Sequence, residues 1–140
     1  MENFLGTWKQ EAKAENMEAL LAITADVTDK EKEQMTNMIS KFEISQDGDK
    51  YTLVHTTDDP PATKSYVFAL GEPLESTDIL GRKFKSIFKL VNSNLLTETC
   101  SEWTEGVIDI SYEITSSDTL KCSIQLKGIT STTIFKKVTS

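Results

Sequence analysis

Apolar and polar residues alternate along this chain with two different periods, and the change of period divides the sequence into two zones. In 15–23 the period is helical: Met17, Leu20, Leu21 and Ile23 fall near one face, and the stretch contains no glycine or proline. A second helix is predicted to start after Thr28, which precedes Asp29-Lys30-Glu31. The Thr28 hydroxyl can cap the first turn while Glu31 reaches back to complete a capping box. Met35, Met38, Ile39 and Phe42 follow at helical spacing. From Phe42 onward the period falls to two. Ile108, Ile110, Tyr112 and Ile114 alternate with mainly polar residues, and so do Leu120, Cys122, Ile124 and Leu126, which is the pattern of strands with one buried face.

Turn-forming clusters punctuate this second zone: Asp47-Gly48-Asp49, Asp58-Asp59-Pro60-Pro61, Gly71-Glu72-Pro73, Asn92-Ser93-Asn94, Thr104-Glu105-Gly106, Ser116-Ser117-Asp118 and Lys127-Gly128. Their recurrence at about 8–12 residues is a meander signature. A first strand near Thr7–Ala12 brings the inventory to about ten strands, with two helices between the first and the second, and closure of such a sheet removes its exposed edges. The expected fold is all-β: a ten-stranded antiparallel up-and-down barrel, formed by one domain over 1–140, with a helical lid at about 15–40.

Composition narrows the class. A chain of 140 residues with 38% hydrophobic and 26% charged residues is large and apolar enough to bury one core. No apolar run approaches the roughly 20 residues of a membrane span, and Met1-Glu2-Asn3 opens neither a basic region nor an apolar stretch of signal-peptide type, so a cytoplasmic protein is expected. In that compartment Cys100 and Cys122 are expected as two free thiols rather than one bridge. A net charge of -7 argues against nucleic-acid binding and against strong docking on anionic membranes, while leaving room for transient membrane contact. A monomer is expected. His55 is the only histidine, and the chain contains no phosphate loop, metal-spaced cluster or nucleophile elbow, so no catalytic residue, metal or cofactor is assigned.

Several segments carry a resemblance. Phe4-Leu5-Gly6-Thr7-Trp8-Lys9, Glu15-Asn16-Met17, Phe68-Ala69-Leu70-Gly71-Glu72 and Gly81-Arg82-Lys83-Phe84-Lys85-Ser86 resemble motifs of the intracellular lipid-binding proteins, the family of fatty-acid-binding and cellular retinoid-binding proteins. The interval from Trp103 to Tyr112 matches the one at which that family places its tryptophan before its first arginine. The resemblance spans essentially the whole chain. It implies the same barrel and a carrier for one hydrophobic small molecule.

The residues that would hold the ligand's head group depart from the family pattern. Its last strand carries Arg-x-Tyr, which with the earlier arginine clamps a carboxylate; here the corresponding residues are Thr133, Phe135 and Tyr112. Alternation places Ile110 and Tyr112 on one inward face, Cys122 and Ile124 on the next, and Thr133 with Phe135 on the last strand; Met17, Leu20 and Met38 would face them from the lid. A carboxylate in a low-dielectric cavity needs compensating charge, and none of these residues supplies it. A neutral or weakly polar head group, retinoid-like in the way Thr133-Ile134-Phe135-Lys136-Lys137 resembles the retinol-binding branch, is the expectation. Gln125 falls on the opposite face and is expected in solvent.

Other readings stay open. Tyr112 and Thr133 could bond each other or ordered water, with the ligand held by apolar contact alone. Arg82, the only arginine, could meet a carboxylate near the cavity rim, giving an ordinary fatty-acid carrier. A collapsed barrel acting as a ligand-independent interaction protein is the third reading. Thr97, Thr99 and Ser101 alternate toward Trp103 and would give the cavity a polar wall if inward, although Asn94-Leu95-Leu96 holds an extra residue that leaves the register open. The Pro60-Pro61 pair, in a loop where the family usually carries a gating phenylalanine, predicts a stiff portal.

Overall fold

In the computed structural model, residues 2–23, 28–58, 61–77, 83–103 and 106–138 are described, with the side chains of 76–77, 102–103 and 106 excepted. A short 3-10 turn, Glu2–Phe4, leads into β1 (Gly6–Gln10), and the helices α1 (Met17–Ala22) and α2 (Asp29–Asn37) follow. Nine strands complete the chain: β2 (Ser40–Asp47), β3 (Lys50–Asp58), β4 (Pro61–Phe68), β5 (Pro73–Thr77), β6 (Lys83–Asn92), β7 (Leu95–Trp103), β8 (Gly106–Ser116), β9 (Thr119–Leu126) and β10 (Ile129–Lys137). All ten strands belong to one antiparallel sheet in the order β4-β3-β2-β1-β10-β9-β8-β7-β6-β5. The expected nearly closed barrel with two helices is what forms.

β1 sits at the middle of that order, paired on one side with β2 and on the other with β10, so the chain's two ends zip the sheet together. The ends of the sheet, β4 and β5, form no ladder with each other among the described residues. Aromatic side chains span that seam instead. Phe68 of β4 stacks on Phe88 of β6 with ring centroids 4.0 Å apart, and Tyr66 meets Phe84 edge-on at 5.7 Å. The Gly71 N–H also donates to the Phe88 carbonyl at 2.7 Å.

Turn chemistry agrees with the sequence where the backbone demands it. Lys127 and Gly128 both adopt positive φ (50° and 81°) between β9 and β10, the twist of a two-residue hairpin turn. The capping box is present: the Glu31 N–H donates to Thr28 Oγ1 at 3.1 Å, and the Thr28 N–H donates to Glu31 Oε1 at 3.0 Å. Entry into α1 is fixed differently. Asn16, at φ 61°, donates from Nδ2 to the Thr130 carbonyl at 3.0 Å, and Glu15 exchanges two backbone bonds with Thr132. Both contacts tie the start of the helix pair to β10.

Two apolar clusters result. One, around Phe4, Trp8, Phe42, Phe88, Leu120 and Phe135, fills the barrel end remote from the helices. Phe4 and Trp8 are fully buried there, and the Trp8 indole N–H donates to the Phe4 carbonyl at 3.0 Å, which satisfies its one polar atom. In the other cluster Met17, Leu20 and Leu21 of α1 lie against Phe84, Cys100, Ile108 and Leu126. α1 is therefore the buried helix of the lid, while α2 buries none of its residues completely. The Asp58 carboxylate at the end of β3 accepts from the Ile39 N–H at 3.2 Å and fastens the exit of α2 to the β3–β4 hairpin. Residues 59 and 60 of the expected stiff portal lie outside the described residues.

Candidate ligand cavity

Between the two clusters lies a cavity of about 310 Å³, the size of a small-molecule site. Its wall is mainly apolar and is drawn from both helices and all ten strands, with Gln10, Ser40, His55, Tyr66, Glu98, Tyr112 and Thr133 as polar members. Nine of the ten residues singled out from sequence line it: Tyr112, Thr133, Phe135, Ile110, Cys122, Ile124, Met17, Leu20 and Met38. Arg82 lies outside the described residues. Gln125 is exposed.

Strand register explains the grouping. Tyr112 of β8, Cys122 of β9 and Thr133 of β10 are successive cross-strand partners, so they form one row across the wall. Phe42 packs edge-on against Phe135 at 4.8 Å and against Tyr112 at 6.2 Å, setting the tyrosine ring in place. Gln10 and Ser40 largely satisfy each other: the Ser40 N–H and hydroxyl both donate to Gln10 Oε1, at 2.9 and 3.1 Å, and Gln10 Nε2 donates to the Ala12 carbonyl. Both cysteines are free and buried, and burial next to Glu98 pushes the Cys122 thiol up to about 12.

The polar wall expected from Thr97, Thr99 and Ser101 is not built. Pairing of β7 with β8 shifts by one between Cys100 and Trp103, so alternation does not carry through that step from Trp103. Leu96, Glu98 and Cys100 point inward instead and are buried, with Thr99 exposed. The extra residue read at Asn94-Leu95-Leu96 belongs to the partner strand: β6 shifts register between Leu90 and Asn92.

Glu98 is the site residue that sequence reasoning missed. It pairs across the ladder with Ile110, which makes Tyr112 its diagonal neighbour on the same face. The Tyr112 hydroxyl donates to Glu98 Oε1 at 2.8 Å, and Cys100 Sγ donates to Oε2 at 3.3 Å. Tyr112 thus spends its hydroxyl on a carboxyl group, not on Thr133. Ser86, fully buried on β6, turns its hydroxyl toward the same group and has no other hydrogen-bond partner. A signal for Glu98 existed in the sequence, since Leu96 and Cys100 flank it at a spacing of two while every odd position from Thr97 to Ser101 is polar.

Burial raises the Glu98 pKa above the ordinary carboxyl value of 4.5, and the bonds from Tyr112 and Cys100 only partly oppose it. The folded state therefore holds this proton more tightly than the unfolded chain. Its contribution is fully present below pH 4.5 and is lost as pH rises through the raised folded value. Burial lowers the His55 pKa below 6.5, with the opposite sign, in native and variant protein alike. Glu98→Gln should consequently gain stability relative to the native protein as pH is raised from 4.5 to 8. Urea unfolding across that range measures it, and parallel curves for the two proteins would rule out a raised Glu98 pKa.

Among the described residues no group of three or more His, Cys, Asp or Glu is arranged to hold a metal ion, and no helix is long and apolar enough to cross a membrane.

Neither a family model nor a curated protein matches this chain. Solved structures do. A Schistosoma mansoni fatty acid binding protein in complex with arachidonic acid aligns with a TM-score of 0.89 at 23% identity, covering 99% of this chain and 98% of its own. The Echinococcus granulosus fatty-acid-binding protein 1 aligns at 0.88 and 21% identity, covering 99% and 100%. The fluorescent protein UnaG aligns at 0.84 and 23% identity, covering 98% of each chain. The chain has the fold of the fatty-acid-binding proteins.

Proposed function

We propose that this chain, built on the fatty-acid-binding-protein fold, is a carrier of the intracellular lipid-binding type that encloses one apolar small molecule in its barrel. The observation that carries the reading is the cavity itself: about 310 Å³, walled mainly by apolar side chains and capped by the buried face of α1. Met17, Met35 and Met38 supply adaptable thioethers on the lid side, suited to ligands of varied shape. No catalytic step is assigned to it. A monomer in the cytoplasm, exchanging ligand in brief contacts with membranes, completes the proposal.

The head group we assign is neutral or weakly polar, as in a long-chain alcohol or a retinoid alcohol, rather than a carboxylate. Among the described residues no lysine or arginine lines the cavity, so nothing on that wall would balance a buried carboxylate. An apolar fluorescent dye should bind at about one per chain and be displaced by a long-chain alcohol. Dye that binds only after the protein is unfolded, or that no lipid displaces, would remove the carrier reading.

A further inference from the structure

Glu98 is the only carboxyl group among the described residues that line the cavity, and nothing in that wall balances it. Its bonded neighbours are donors. Tyr112 serves one oxygen at 2.8 Å and Cys100 the other at 3.3 Å, the arrangement that suits an ionised carboxylate. Burial favours the opposite state, the protonated acid. The hydrogen bonds and the desolvation thus pull the same group in opposite directions, and a cation placed beside it relieves both.

We propose that the Glu98–Tyr112–Cys100 cluster is an anchor for apolar ligands that carry a protonated amine. This rests on the carrier reading and names the head group that the cluster accepts best, ahead of an alcohol and far ahead of a carboxylate. The amine enters as an ammonium ion. Glu98 gives its proton to solvent, and the ion pair forms with Tyr112 and Cys100 still donating to the carboxylate; no covalent bond changes. The other titratable groups toward Glu98 are Cys122 from β9 and, elsewhere on the cavity wall, His55 from β3 and Tyr66 from β4; its partner on β6 is Phe88, which does not titrate. Both thiols hold their protons well above neutral pH, so Glu98 is the group expected to release one.

Dodecylamine, dodecanol and dodecanoic acid, competed against an apolar fluorescent dye at pH 6, separate the possibilities. The amine should bind at least tenfold tighter than the alcohol, and that advantage should shrink as pH is lowered toward 4.5, because Glu98 must give up its proton to hold the ammonium ion. In Glu98→Gln the ratio of amine to alcohol affinity should fall to near one. An amine no better than the alcohol, an advantage that persists in Glu98→Gln, or an advantage that grows as pH falls overturns the anchor. The pH dependence of the native protein decides even if the variant fails to fold. Should neither alcohol nor amine displace the dye, the carrier reading itself falls, which is a different result from an alcohol that binds and an amine that gains nothing.

Discussion

Trp8→Ala is expected to be the most damaging single substitution in the barrel, costing about 3–5 kcal/mol of stability by loss of a large buried ring. Trp8 is fully buried at the end remote from the helices, packed in the cluster with Phe4, Phe42 and Phe135, and Lys137 Nζ lies 5.6 Å from its ring centroid. Removal leaves a space that neighbours on β1, β2 and β10 cannot close without breaking ladder bonds, and it strips the Phe4 carbonyl of its indole partner. That is a large share of the roughly 5–15 kcal/mol by which a domain is stable. Urea unfolding followed by circular dichroism measures it, and a cost under about 1 kcal/mol would mean the ring is not the structural centre of this cluster. Because the cavity head-group residues sit on other strands, the ranking of ligands in the surviving folded fraction should be preserved.

The second large effect concerns ligand choice. A long-chain alcohol is expected to bind at least about tenfold tighter than the matching carboxylic acid, or about 1.4 kcal/mol. At neutral pH the free acid is a carboxylate, which must either enter as an anion with no cation on the described wall or take up a proton to bind, whereas the alcohol only exchanges hydrogen bonds. Direct competition against a fluorescent dye at neutral pH gives the ratio; an acid that wins by tenfold would require a cation outside the described wall, with Arg82 the first to test. The structure also changes the engineering expected to restore acid binding. Tyr112→Arg with Thr133→Arg would install the clamp residues, but the first arginine would sit where Tyr112 now reaches Glu98 at 2.8 Å and would pair with it. Acid preference is therefore expected only when Glu98→Gln is added to the pair, and the double variant alone should stay close to the native ratio.

Much of this architecture is legible in the chain because it rests on local rules. The period of two in β8 and β9 placed Ile110, Tyr112, Cys122 and Ile124 on the inner wall, where they stand. The Thr28–Glu31 capping box and the Lys127-Gly128 turn follow from side-chain chemistry within three residues. The departure from a carboxylate clamp at Thr133 and Phe135 is likewise a matter of which residues occupy one strand. Glu98 is not legible in the same way, because a charged residue at an inward position runs against the apolar–polar alternation that marks a buried face.

What the sequence determined by itself is the set of elements, their order, and the inward face of every strand that runs unbroken. What only the tertiary structure decided is whatever depends on how one strand is paired with the next. Pairing of Glu98 with Ile110 places that carboxyl group on the wall that β8 builds, and the shift between Cys100 and Trp103 ends the shared register. The diagonal contact of Glu98 with Tyr112 and the aromatic closure of the β4–β5 seam through Phe68 and Phe88 arise from the same source. Alternation is a property of one strand and is written in neighbouring residues, whereas register is settled by hydrogen bonds and packing between residues far apart in the chain.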